Sequence, residues 1–343
     1  MLLRNESVNG ASVLPLSPKS ALRIAVLGRL ADVNNLGDGG SSNVRPPSVV
    51  TPLDGLREAL PNAKFTRDAA TAADLAIVVV GYTSQEEGEY TFAASPELFA
   101  LMPPFPDAAI LAELAQAQDG KSAMAVGGDR RSLRLRPEDE DLILATAATQ
   151  PRTIVLLMSG SAILAVPWIG KVGAALMVWY PGMEGGHAIA DVLTGAVNPS
   201  GRLPFVVPTD ERHLPAFDPD AREVTYDAWH GQWLLDRDGH AARYPFGFGL
   251  SYTVFRLEQA SRQKDTALVQ VTNCGQRDGA VVVFAFDRDG HVARLIDLRK
   301  VRIAAGVTVT VALSVGQTRA VRVAQYSNDP NGLNVPPTAP LRD

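Results

Sequence analysis

The feature that most constrains this chain is a repeated pattern: a short, uninterrupted apolar run, rich in β-branched residues, that stops at glycine. Leu22-Arg23-Ile24-Ala25-Val26-Leu27-Gly28 is one instance and Leu75-Ala76-Ile77-Val78-Val79-Val80-Gly81 is another. A strand with apolar side chains on both faces has no side to offer to water, so it must be covered above and below, as parallel strands are in α/β proteins. The intervening Thr51–Leu60 puts Leu53, Leu56 and Leu60 on one helical face. Further along, Pro137–Thr149 reads as a helix with an acidic start and Thr153–Met158 as a third strand ending at Ser159-Gly160. Ala174–Trp179 reads as a fourth strand, and Gly186–Leu193 as a helix that stops at Gly195. Strands alternating with helices predict a mostly parallel sheet with helices on both faces.

After about residue 250 the pattern changes. Thr266–Asn273, Ala280–Asp287, Val292–Leu298 and Val307–Val315 are short, β-branched and separated by turn pairs such as Asp278-Gly279 and Asp289-Gly290. That spacing predicts a small antiparallel sandwich. The stretch from Ser327 is rich in Pro and Asn and is expected to fray. The expected organisation is therefore an α/β domain over residues 1–250 and a β-sandwich over residues 251–343 with a frayed tail. The aromatic run Tyr244–Thr253 is expected to pack as a buried hinge between them.

Composition narrows the partners. Net charge is −5, from 37 acidic against 32 basic side chains, and no Lys/Arg cluster stands out. A nucleic-acid surface needs a concentrated basic stripe, so no nucleic-acid partner is expected. Cys274 is the single cysteine, which excludes an internal disulfide. The apolar runs fall far short of the roughly 20 residues that span a bilayer, and Met1–Glu6 shows no apolar signal region. No membrane association is expected, and the cytoplasm is the default compartment. The five histidines are scattered and no Gly-x-Ser-x-Gly elbow occurs, so neither a metal site nor a Ser-His-Asp triad is expected.

In open α/β sheets, ligands collect beyond the carboxyl ends of the strands, which directs attention to four loops. Gly37-Asp38-Gly39-Gly40-Ser41-Ser42 lacks the GxGxxG spacing and the P-loop lysine. No nucleotide cofactor is expected there; Asp38, Ser41 and Ser42 suit sugar hydroxyls, and a plain flexible turn fits as well. Tyr82-Thr83-Ser84-Gln85-Glu86-Glu87-Gly88-Glu89-Tyr90 concentrates three carboxylates. Mutual repulsion there can raise one pKa and make a general acid, with Tyr82 and Tyr90 placed to stack on a sugar ring; a solvated acidic loop is the alternative. Gly127-Gly128-Asp129-Arg130 can bind hydroxyls or cap the following helix. Trp179-Tyr180-Pro181-Gly182-Met183-Glu184-Gly185-Gly186 leads a strand into a helix whose dipole Glu184 complements.

These phrases, together with Asn198-Pro199-Ser200-Gly201-Arg202-Leu203-Pro204 and Tyr244-Pro245-Phe246-Gly247-Phe248-Gly249-Leu250-Ser251-Tyr252-Thr253, resemble in order the C-terminal half of the glycoside hydrolase family 3 β-glucosidases. The resemblance implies an α/β-sandwich domain followed by a fibronectin-type-III-like domain, and an activity on β-glucosides or oligosaccharides. It also implies that the acid/base Glu comes from the acidic loop. The matching position is Glu87, with Glu89 and Glu86 as alternatives. In such enzymes a preceding TIM barrel supplies the nucleophilic Asp. Here Leu2–Leu16 resembles the segment leaving that barrel, so a separate barrel chain, or a homodimer covering the barrel-facing side, is expected. A non-catalytic carbohydrate-binding or interaction module is the competing reading. Without a barrel over it, the Glu87 loop is expected to be solvent-exposed.

Overall fold

Six strands form the central sheet of the α/β domain: β1 (Leu2–Asn5), β2 (Arg23–Leu27), β3 (Lys64–Thr66), β4 (Leu75–Gly81), β5 (Thr153–Met158) and β6 (Ala174–Met177). The computed structural model describes residues 1–37, 44, 46–68, 72–88, 130–218, 221, 223–288 and 292–336. The strand order is β1-β6-β5-β4-β2-β3. β1 runs antiparallel along the edge of β6, and every other neighbouring pair is parallel. All residues of β4, β5 and β6 are buried, as an apolar run with no solvent face requires. The two-residue period of β4 divides it between two cores. Ala76, Val78 and Val80 enter one; Leu75, Ile77 and Val79 enter the other.

Four helices matter for the site: α1 (Pro52–Ala59), α2 (Ser84–Glu87), α3 (Pro137–Thr149) and α4 (Gly185–Thr194). Ile143 of α3 packs into the first core, while Leu53 and Leu56 of α1 join Ile189 and Leu193 of α4 in the second. α1 and α4 meet backbone to backbone. A Cβ added at Gly55 would lie 2.2 Å from the Gly186 carbonyl, and one at Gly186 would lie 2.1 Å from the Thr51 oxygen. Both helices start directly after loops at the carboxyl edge of the sheet, so this contact sets how those loops approach each other. Gly81 ends β4 with φ of 132°, and a Cβ there would lie 1.8 Å from the Met158 oxygen. Only glycine fits that turn.

A further helix, α5 (Gly231–Asp238), precedes the second half of the chain. There seven strands form two antiparallel sheets: β7 (Phe255–Gln263), β8 (Thr266–Asn273) and β11 (Thr308–Ser314) in one, and β9 (Gly279–Asp287), β10 (Arg294–Ile303), β12 (Val321–Ala324) and β13 (Leu333–Asn334) in the other. Val269, Val271, Val281, Val283 and Val323 fill the space between them.

Three expectations change here. β10 begins and ends later than the apolar run Val292–Leu298 suggests, because its register along β9 carries Ile303 to Gly279; its outward face is charged and solvated. The fourth strand of the central sheet stops at Met177, since Trp179 turns into the left-handed region at φ of 60°. The stretch from Ser327 does not fray through Pro336. Ser327 and Asp329 are each 1% exposed, Val335 is buried, and β13 pairs with β12; the Asp329 carboxylate accepts from the Gln325 and Asn331 N–H groups.

The aromatic run does join the two halves. The Phe248 ring lies 5.1 Å from Tyr244 and 5.6 Å from Tyr326, and Phe246 stands edge-on to Phe284 at 5.6 Å. Tyr244 is buried but Phe248 only half-buried. Phe248→Ala should therefore cost about 2–3 kcal/mol, below the roughly 3–5 kcal/mol of a fully buried ring; urea unfolding measures this. Gly55→Ala should destabilise by about 1–3 kcal/mol or more through overpacking of α1 against α4, read as a lower thermal midpoint.

Candidate active site at the carboxyl edge of the sheet

The carboxyl ends of β4, β5 and β6 converge on one side chain, Glu87. α2 follows two residues after β4 and carries Glu87 on its last turn. Ser159 and Gly160 directly follow β5, and Tyr180 follows the left-handed turn at Trp179. The Glu87 carboxylate pairs with Arg130 Nε at 2.7 Å and accepts from the Gly160 N–H at 2.6 Å, from the Tyr180 hydroxyl at 2.7 Å and from the Ser159 hydroxyl at 3.1 Å. Both members of the ion pair are 7% exposed at the side chain. The expected solvent-exposed Glu87 is thus corrected. The side chains needed to bury it come from within this domain, from the loops after its own strands.

Arg130 is itself tightly held. Its guanidinium donates to the Ser161 hydroxyl and to the Ala162 carbonyl, and lies 4.4 Å above the Tyr82 ring. Tyr82 in turn donates to the Arg134 carbonyl. One guanidinium nitrogen, Arg130 Nη1, is buried with no partner among the described residues.

Glu86 points the other way, into a second ionic cluster. It pairs with Arg29 at 2.6 Å and Arg136 at 3.6 Å, and it accepts from the Thr83 N–H at 2.9 Å, closing the start of α2. Arg29 and Arg136 also reach Asp139 on the first turn of α3. Burial works to raise the Glu86 carboxyl, but the hydrogen bonds from Arg29 and Thr83 overcome it and hold the pKa below its ordinary 4.5. Because the folded-state pKa is the lower one, the Glu86 contribution is complete above the unfolded value and disappears as pH falls through the folded value.

Glu86 and Glu87 are both ion-paired, on opposite sides of α2. Glu89, Tyr90, Asp38, Ser41, Ser42 and Asp129 lie outside the described residues. Tyr82 is buried and supports Arg130. Glu184 pairs with His187 at 2.6 Å, away from the Glu87 cluster. Ser159, Gly160 and Tyr180 were not singled out by residue type. Their signal is positional: each lies within three residues after a buried strand. Among the described residues no group of three or more His, Cys, Asp or Glu side chains can hold a metal ion, and no helix is long and apolar enough to cross a membrane.

Removing one partner of a buried pair strands the other charge. Arg130→Met should cost about 3–5 kcal/mol at neutral pH, and Glu87→Gln added to it should restore part of that loss; a double-mutant cycle by urea unfolding measures the coupling. Glu86→Gln should lower stability at neutral pH and have little effect below the folded-state pKa of Glu86, followed as thermal midpoint against pH.

Residues 1–252 match the model of the glycosyl hydrolase family 3 C-terminal domain. Beta-glucosidase B of Emericella nidulans is 35% identical over 218 residues, covering 55% of this chain and 26% of its own length. The periplasmic beta-glucosidase of Salmonella typhimurium is 31% identical over 356 residues, covering 95% of this chain and 46% of its own. The match thus spans about a quarter to a half of these relatives. The crystal structure of the Bifidobacterium adolescentis GH3 beta-glucosidase superposes with a TM-score of 0.73 at 23% identity, over 97% of this chain and 51% of that one. The beta-D-glucoside glucohydrolase of Trichoderma reesei gives 0.73 at 22% identity, over 97% and 53%. Six-stranded core, loop order and family match coincide: the chain belongs to the glycosyl hydrolase family 3 C-terminal domain family.

Proposed function

We propose that this chain forms the acid/base half of a β-glucoside-hydrolysing site whose nucleophile comes from a barrel domain, with residues 251–343 as a fibronectin-type-III-like brace. The supporting observation is the clamp on Glu87, which anchors the first turn of the acidic loop at the carboxyl edge of the sheet. A retaining glycosidase needs two carboxyl groups about 5–5.5 Å apart, one as nucleophile and one as proton donor. The named relatives are beta-glucosidases, which sets the substrate class of the proposal.

The geometry divides the labour within the loop. The Glu87 oxygens are taken up by a guanidinium, a backbone N–H, a phenol and a hydroxyl within this chain, whereas a general acid must reach the glycosidic oxygen when the bond breaks. In this reading Glu87 positions the loop, and Glu89, two residues beyond the clamp, delivers the proton. The sugar-suited side chains Asp38, Ser41, Ser42 and Tyr90 supply contacts to the substrate. No step requires a cofactor.

The test is a chimera in which residues 1–252 replace the matching part of the Salmonella relative, confirmed as folded by circular dichroism. Hydrolysis of nitrophenyl β-glucoside is expected. A folded chimera that binds glucosides but turns over none would identify a binding module instead. Glu89→Gln in the active chimera should slow alkyl glucosides by about 10²–10⁴-fold and activated aryl glucosides far less, because a good leaving group needs little protonation. Glu87→Gln should slow both alike. Selective loss of alkyl glucosides in Glu87→Gln would make Glu87 the donor and overturn the division of roles.

A further inference from the structure

We propose that the cavity between the start of α5 and the β9–β10 face of the sandwich binds a small aromatic carboxylate. It shares no lining residue with the Glu87 clamp and is independent of the activity proposed above. The cavity holds about 300 Å³, at the low end of the range for small-molecule sites. Its walls are Phe205, Trp233, Phe246, Phe286, Leu295 and Ser327. Four aromatic rings present flat apolar surface, and the Trp233 indole is held by its N–H donating to the Ala293 carbonyl at 3.1 Å. A planar ring is the shape such walls recognise.

One end of the cavity is polar. α5 starts at Gly231 after His230 with no side-chain cap, and Gly231, Gln232 and Trp233 all line the cavity. The first N–H groups of a helix have no acceptor within the helix and favour negative charge. The second observation is Ser327. It is 1% exposed, and its hydroxyl has no hydrogen-bond partner among the described residues. A buried hydroxyl left unpaired is uncommon and is explained here by an acceptor brought by a ligand. The Arg294 guanidinium lies 6.0 Å from the Trp233 ring, adding positive charge. The carboxylate of the same helix, Asp236, accepts from Gln232 and Asn328 at 2.8 Å through Oδ1 and does not line the cavity.

The ligand class follows from how few polar groups line the cavity: Ser327, Gln232 and His230, whose ring lies 6.3 Å from that of Trp233. Gln232 uses its amide on Asp236 and its carbonyl on the Phe246 N–H. A sugar would leave most of its hydroxyls unpaired against phenylalanine, which is costly. One aromatic ring with one carboxylate matches the walls and the polar end together.

The full chain should be titrated with benzoate, benzyl alcohol and glucose, reading tryptophan fluorescence and the amide shifts of Gly231, Gln232 and Ser327. Benzoate should saturate and move those amides; Trp233→Phe should remove the fluorescence change while leaving the amide shifts. Benzyl alcohol should bind about tenfold more weakly, and Ser327→Ala should weaken benzoate about five- to tenfold, as loss of one hydrogen bond to a charged group predicts. Leu295→Trp, which fills the cavity from its rim, should abolish binding in a protein with unchanged circular dichroism. Absence of saturation by benzoate, equal binding of glucose, or an unaltered benzoate affinity in Ser327→Ala would each overturn the proposal.

Discussion

Glu87 and Arg130 meet as a buried pair, and the carboxyl edge of the sheet is organised around that contact. The carboxylate gathers Gly160 from the loop after β5 and Tyr180 from the loop after β6, while the guanidinium gathers Ser161, Ala162 and the Tyr82 ring. Taking two charges out of water costs several kcal/mol per ion, and only good geometry with further hydrogen bonds returns it. Such a pair adds little to net stability but penalises every arrangement that leaves either charge alone. In this fold it selects one relative placement of three loops that differ in sequence, length and strand of origin.

The parallel sheet makes that placement possible. Its five parallel strands end on the same side, so the loops after β4, β5 and β6 face one another. The contact of α1 with α4 through Gly55 and Gly186 brings the loops before those two helices together in the same way. Glu86 extends the order outward, tying α2 to Arg29 after β2 and to Arg136 before α3. Two adjacent glutamates thus secure a four-residue helix from opposite sides, although a helix that short has no intrinsic stability.

The sandwich attaches through aromatic area, with Arg277 donating to the Gly195 carbonyl and Asn198 to the Asp278 carbonyl beside it. Phe248 bridges Tyr244 and Tyr326, and Phe246 meets Phe284, so the segment leaving the α/β domain packs against β9 of the sandwich. Ser327 through Val335, which composition marks as a loose tail, is held because Asp329 satisfies backbone N–H groups at the turn and β13 completes a sheet. Composition reports how few apolar residues stand there; it does not report hydrogen bonds made by a single buried carboxylate.

What the sequence determined by itself is the central sheet and its loop order. Runs such as Leu75–Gly81 and Thr153–Met158 are apolar on both faces, and a strand of that kind has only one stable environment. Glycine at Gly81 and Gly195 marked where those elements stop because only glycine is comfortable at their dihedral angles. Half-solvated strands such as Phe255–Gln263, and edge strands as short as Leu2–Asn5, were not legible, since their stability comes from partners distant in the chain. The same reason explains the site. Three nearby glutamates announced an acidic loop, but nothing local distinguishes Glu86 from Glu87. Their roles were decided by Arg29 on one side and Arg130 on the other, 57 and 43 positions away in the chain, because the state of a carboxylate depends on which charges and donors surround it in space.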